Sequence, residues 1–333
     1  MECIGATFTE RFVRSCGISG SLISRQLVRD SSLEVAAMFK IGKLFHLTHV
    51  VTDLRPVDRW YDEVFACTRY YHGFAKAAGR DASLLAIGEV IMEPMSPANV
   101  PNLRNLSVKR FHDRFGQHLH SIAFYVDDVP AISTHLANHG KRMWDVVGRP
   151  VTPPNEKFAV WTHPKETHGQ LEFAVVGTNT IDPRLQPAWS SDFWRERHPL
   201  GIEGASHITA VVGDLAAAKH FYCDVLGSKL ICEEEVAGRK RSAYVAVGED
   251  TVVELAQPLS SSSLEGQDLE KNGEGIHSLT FKTRSLAKAA EFLKSRQMRP
   301  ESDGKESIVL GPDQAFGMVI GFTERKIPND PRR

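Results

Sequence analysis

The stretch FHLTHVVTD at residues 45–53 decides the fold, because its pattern of a histidine opening a short apolar run returns three more times. His46, His120, His207 and His277 each open such a run, and in the first three an aspartate (Asp53, Asp127, Asp214) stands seven residues on. Four copies of one strand imply four copies of one module. Alternation along a strand places His46 on one face with Thr48 and Val50 and turns His49 to the other, so only one of the two faces a cavity. Superposing the four copies selects His46.

Outward from this strand, DLRPVDRWYDEVFA carries Leu54, Val57, Trp60, Tyr61 and Val64 at helical spacing. The runs at 83–88 and 89–94 have strand length, which makes module 1 βαββ with a further strand expected near Thr68 to His72. Residues 207–258 repeat it. His46 and His207, Asp53 and Asp214, Leu54 and Leu215, Tyr61 and Tyr222, Val64 and Val225, and Glu93 and Glu254 are all separated by 161 positions. Gly88 and Gly248 are separated by 160, a one-residue slip that is regained by Glu254. The second pair is looser: LHSIAFYVDD at 119–128 answers IHSLTFKTRS at 276–285, and each is followed by a helix, a turn and a closing apolar strand.

The order is therefore an extension (1–43), a first domain (44–177, modules 1 and 2), a linker (178–204), a second domain (205–323, modules 3 and 4) and a tail (324–333). The linker holds three prolines and no sustained period, so it is expected at the surface, pinned by Trp189 and Trp194. The Ser- and Gly-rich segment 258–275 is expected to be a mobile loop that acts as a lid. The extension mixes four arginines with serines and with Glu2, Glu10 and Asp30; those acids argue for a packed or mobile extension over a transit peptide.

A formal charge of −1, from 40 basic and 41 acidic residues, gives no electrostatic reason to expect nucleic acid or an anionic membrane as partner. Five scattered cysteines form no C-x-x-C pair, and no run approaches the length of a membrane span. The reading is a cytoplasmic protein acting on a small molecule, with room for a homodimer.

Modules 1, 2 and 3 place an acid near the end of the last strand: Glu93, Glu172 and Glu254. Module 4 has Ile320 and Gly321 there. Pairing modules 1 and 2 gives His46, Glu93, His120 and Glu172, two imidazoles and two carboxylates that suit Zn, Ni, Co, Mn or Fe and leave positions open. Such an ion polarises a carbonyl or enolate oxygen, and Glu172 is the carboxylate expected to move the proton. The second domain offers only His207, Glu254 and His277, either a two-His-one-carboxylate second metal site or a decayed copy; decay is favoured.

The segments HITAVVGDLAAAKHFYCDVLG, GEDTVVELAQP, GEGIHSLTF and HPKETHGQLEF resemble the vicinal oxygen chelate superfamily, which includes glyoxalase I, methylmalonyl-CoA epimerase, the fosfomycin- and bleomycin-resistance proteins and the extradiol dioxygenases. The resemblance spans roughly residues 44–323. It implies an α+β fold of four βαβββ modules paired into two domains, each curled around a metal, with the ligand pattern His, Glu, His, Glu on His46, Glu93, His120 and Glu172. It implies an isomerase, epimerase or lyase. The epimerase-like pieces are split between the two domains, whereas an epimerase is a single pair. Four modules also resemble an Fe(II) extradiol dioxygenase; His207 and His277 match its ligands, but Ile320 and Gly321 stand where its carboxylate belongs. A third alternative is a non-catalytic binding or resistance protein.

Overall fold

A computed structural model describes residues 38–75, 79–98, 107–177, 181–304 and 306–332. The fold grows from strand β1 (Ile41–Val50), which is buried on both faces over its second half and takes a central place in its sheet. Leu47, His49 and Val51 face the helices, while His46, Thr48 and Val50 face the other way. Asp53 then caps helix α1 (Leu54–Phe65), its side chain accepting from the Arg55 N–H. The helix buries Leu54, Val57, Trp60, Tyr61, Val64 and Phe65 and stops at Ala66, whose φ of 46° is left-handed. Three strands complete the module: β2 (Thr68–Ala75), β3 (Arg80–Ile87) and β4 (Val90–Pro97). The extra strand expected near Thr68 is thus present.

Module 2 opens with α2 (Ser107–Phe115) and runs through β5 (His118–Val126), α3 (Val129–Asn138), β6 (Met143–Trp144), β7 (Ala159–Thr162) and β8 (Gln170–Ala174). The two modules share one eight-stranded sheet of order β2-β3-β4-β1-β5-β8-β7-β6, in which β1 pairs parallel with β4 and antiparallel with β5. The second half repeats this as β9 (Ile202–Val211), α4 (Leu215–Lys219), β10 (Lys229–Val236), β11 (Lys240–Val247) and β12 (Thr251–Pro258). It continues with α5 (Leu264–Asn272), β13 (Gly275–Thr283), α6 (Leu286–Ser295), β14 (Glu301–Ser302), β15 (Ser307–Leu310) and β16 (Val319–Thr323), and its strand order is equivalent. The register repeats too: Thr48 lies opposite Glu93, and Thr209 opposite Glu254. This is an α+β chain of four βαβββ modules in two domains.

The four histidines are not at one repeated position. His46 and His207 stand two residues before Thr48 and Thr209, whereas His120 and His277 stand three before Ala123 and Thr280, the residues opposite Glu172 and Gly321. A β-bulge falls at His120 and another at His277, each re-aiming the ring. They are two pairs, matched by a bulge.

The linker runs over the surface, pinned by its tryptophans as expected and by a further set of buried side chains. Asp182, Arg184, Trp194, His198 and Leu200 are buried, and the Trp194 indole donates to the Phe65 carbonyl at 2.8 Å. Arg184 pairs with Asp182 and donates to the carbonyls of Leu44, Phe45 and Glu89. The tail repeats the device: Arg332 pairs with Asp330 and donates to the carbonyls of Ala205, Ser206 and Asp250, the same three positions displaced by 161. Each domain is therefore closed by an Asp-Pro-Arg clasp over the start of its first strand.

The segment 258–275 is not a mobile lid. Ser263 caps α5, and Asp268 within it accepts from His118 of the first domain and His277 of the second. Apolar side chains of both domains form one continuous core. At the seam the ring of His49 lies fully buried between the Tyr61 hydroxyl, 3.2 Å from Nδ1, and the Phe316 carbonyl, 2.8 Å from Nε2. A carbonyl only accepts, so Nε2 carries the proton. Gly317 follows at φ +87°, and a Cβ there would lie 1.9 Å from the Gln117 carbonyl oxygen.

Burial pushes the His49 ring down to about 4. The unfolded ring titrates near 6.5, so the unfolded chain takes up the proton first as pH falls. The stability this histidine contributes is whole above about pH 6.5 and is lost toward pH 4, roughly 2 kcal/mol of it between pH 7 and 5. Urea unfolding at both pH values is expected to show that much less acid loss in His49→Gln, whose amide still donates to Phe316. Equal pH sensitivity in the two proteins would refute this assignment.

No helix among the described residues is long and apolar enough to cross a membrane. Residues 1–37 of the extension lie outside the described residues, and its last three, Ile41 to Lys43, open β1.

Candidate active site in the first domain

Three of the sequence-selected residues meet on the face of the sheet opposite the helices. β1 brings His46, β4 brings Glu93 and β8 brings Glu172, because β1 is flanked by β4 on one side and by β5, which leads to β8, on the other. His46 Nε2 lies 3.2 Å from Glu93 Oε2 and 3.3 Å from Glu172 Oε2, all three side chains being buried. Neither ring nitrogen has a hydrogen-bond partner, so these contacts are close but poorly aimed. Burial alone would lower the His46 ring, but Glu93 and then Glu172 outweigh it and raise it.

The two carboxylates differ in restraint. Glu93 accepts from Thr48 Oγ1 at 3.2 Å and from the Arg80 guanidinium at 2.8 Å. Burial would raise Glu93, yet Arg80 and then His46 hold it below its ordinary range, so it is an anion. Glu172 has only the His46 contact among the described residues. It lies opposite Ala123, which leaves the space beside it open. His120 stands nearby, its Nδ1 3.1 Å from Ser121 Oγ and its ring edge-on to Phe111. Burial, then Arg80, push it down to about 4, so it is neutral.

Beside this cluster lies a cavity of about 360 Å³ lined by Trp144, Trp161, Phe111 and Met95 together with Arg80 and His120; His46, Glu93 and Glu172 sit behind that lining.

The second domain handles the equivalent place differently. Glu254 accepts from Lys240, Ser242, Tyr244 and Thr209, leaving it saturated, with His207 Nε2 3.5 Å away. His277 is drawn off to Asp268, at 2.7 Å. Gly321 lies opposite Thr280 where the first domain has Glu172 opposite Ala123, and a Cβ on Gly321 would come within 2.6 Å of Thr280 Oγ1. The carboxylate is missing and its room is filled by a threonine.

This duplicated architecture matches known proteins at the level of sequence and fold. A family model described as the glyoxalase/bleomycin resistance protein/dioxygenase superfamily matches residues 204–306. The mitochondrial methylmalonyl-CoA epimerase of Mus musculus is 28% identical over 155 residues, 44% of this chain and 83% of that protein. By the family-model match, residues 204–306 belong to the glyoxalase/bleomycin resistance protein/dioxygenase superfamily. The uncharacterised protein YqjC of Bacillus subtilis (strain 168) is 26% identical over 127 residues, 36% of this chain and 91% of that one. Among solved structures, a mutant 4-hydroxymandelate synthase from Streptomyces coelicolor aligns with 87% of this chain and 95% of its own, at a TM-score of 0.60 and 14% identity, which speaks to the fold. The family model falls on the second domain, whereas the fuller set of acids and imidazoles stands in the first.

Enzymes of the superfamily generally use a divalent metal, and the donor set of the first domain fits one in kind. Two imidazoles and two carboxylates are suitable ligands, and His46 is buried with both ring nitrogens unpartnered. As the side chains stand, no group of three among the described residues is arranged to share one ion, and the cation lying on Glu93 is Arg80. Arg80, and Lys240 at the equivalent place, escaped the sequence reading. Their signal was available, since both open the third strand of their module, 13 and 14 positions before Glu93 and Glu254. The Asp-Pro-Arg clasps were likewise legible as a repeated tripeptide.

Proposed function

We propose that this protein is a divalent-metal enzyme that moves a proton on carbon next to a carbonyl, as an isomerase, epimerase or lyase working on a small oxygenated molecule in its first domain. The observation that carries the reading is the contrast between the two carboxylates beside His46: one is tied down, the other is spare. His46, Glu93, His120 and Glu172 would hold the ion, one of Zn, Ni, Co, Mn or Fe. When bound, such an ion supplies Lewis acidity toward a substrate oxygen.

The chain's own groups do the rest. Thr48 holds Glu93 in place, and Arg80 keeps it ionised and ready for the ion. Glu172, restrained only by His46, takes the proton from carbon, and the C–H electron pair moves toward the carbonyl oxygen. The proton then returns to the opposite face of that carbon or to its neighbour, which restores the carboxylate. The second domain, with Glu254 saturated by Lys240, supports the fold rather than the chemistry.

Titration with Co²⁺ followed by deuterium uptake from D₂O into a panel of 2-hydroxy carbonyl compounds and thioesters tests this. One equivalent per chain and metal-dependent exchange at an α-carbon are expected. No metal uptake, two equivalents, or Fe(II)-dependent oxygen consumption without exchange would overturn the reading.

A further inference from the structure

Arg80 is only half used. A guanidinium has five N–H donors, yet among the described residues this one makes a single hydrogen bond, to Glu93 Oε1, and its Nε is buried without a partner. It forms part of the wall of the 360 Å³ cavity, with about a fifth of its side chain exposed. The same cavity is lined by Arg110 and holds one carboxylate, Asp145, which Arg149 and the backbone N–H groups of Val147 and Arg149 already occupy. The lining therefore combines two arginines, Arg80 on Glu93 and Arg110, with the indole surface of Trp144 and Trp161.

Its counterpart shows what a fully committed cation looks like. Lys240 lies between two carboxylates, 2.7 Å from Glu254 and 3.1 Å from Glu265. Among the described residues Arg80 has Glu93 alone, and that is the carboxylate a metal ion would claim. Two cations do not share one carboxylate at contact distance without mutual repulsion, so filling the ion site turns Arg80 toward the cavity.

We infer that Arg80 is the anion anchor of the cavity, and that the substrate is an organic carboxylate whose apolar part packs against Trp144 and Trp161. A planar, bidentate carboxylate is the partner a guanidinium fork recognises best. The inference rests on the proposed metal reading in one respect: the handover from Glu93 requires a cation to replace the arginine.

Phenylacetate and its neutral counterpart phenylacetamide serve as probes, followed by tryptophan fluorescence with and without Co²⁺, in wild type, Arg80→Gln and Arg80→Lys. The acid is expected to bind the Co²⁺-loaded wild type at least about ten-fold more tightly than the amide, the worth of one charge-assisted contact. That preference should vanish in Arg80→Gln, return in part in Arg80→Lys, and weaken without Co²⁺. An acid that binds no better than the amide, or that binds Arg80→Gln as well as wild type, overturns the anchor while bound Co²⁺ leaves the metal reading intact. Should wild type bind no Co²⁺, the metal reading falls by itself. The acid-to-amide comparison in metal-free protein then decides the anchor alone, an Arg80-dependent preference upholding it and none refuting it.

Discussion

Glu172→Ala is expected to lower Co²⁺ or Zn²⁺ affinity at least about a hundred-fold while leaving the thermal unfolding temperature close to wild type. Loss of a group that merely supports a ligand costs 10- to 100-fold, so loss of a ligand itself should cost no less. Stability should change little because among the described residues Glu172 has a single polar contact, with His46, and a lone poorly aimed contact contributes little to folding. His46→Ala should match it in metal affinity. Glu254→Ala in the second domain should do the reverse: it leaves Lys240 buried with one partner fewer, so stability falls and metal uptake does not. Unchanged affinity in Glu172→Ala, measured by competition with a chromogenic chelator, would remove that residue from the ligand set.

Arg184→Ala is expected to be the most destabilising single change outside the apolar core, by about 3–5 kcal/mol, the cost of breaking a buried ion pair and stranding its partner. Arg184 and Asp182 side chains are each about 1% exposed, so the stranded aspartate has no route to water. Three carbonyls at the entry to β1 and at the β3–β4 turn lose their donor at the same time. On a chain of this size the unfolding temperature should drop by roughly 4–7 °C. Arg332→Ala should cost less, since that arginine is 13% exposed and water can reach the gap. Calorimetry on both variants checks the order. If Arg184→Ala unfolds within a degree or two of wild type, the clasp is not a structural fixture.

What the chain revealed before its structure depended on how local the signal was. The strand at 45–53 could be read because its alternation is fixed by backbone geometry, and the offset of 161 exposed the duplication because both copies kept the same capping aspartate and the same helix stripe. The position of Glu172 beside His46 depended on sheet order, which symmetry of the modules implied. Other features were set by long-range contacts that leave little trace in sequence. A serine- and glycine-rich segment reads as a loose loop, whereas Ser263 caps a helix there and that helix is held by Lys240 on Glu265 and by His118 and His277 on Asp268. His277 looks equivalent to His207 in the sequence, but a bulge and that same aspartate direct it elsewhere. Arg80 was overlooked because a cation opening a strand is an ordinary surface feature until Glu93 is known to lie beneath it.

The uninterrupted core shared by the two halves has a consequence for how this chain varies. A duplicated gene usually frees one copy to drift. Here the copy that exchanged a carboxylate for a threonine-filled corner still holds the seam where His49, Gly317 and Asp268 meet, so its drift is bounded by shape. Inherited changes in the second domain should then be tolerated where they preserve contour, whatever they do to its chemistry, and harmful variants there should be felt first as failure of the other half to assemble.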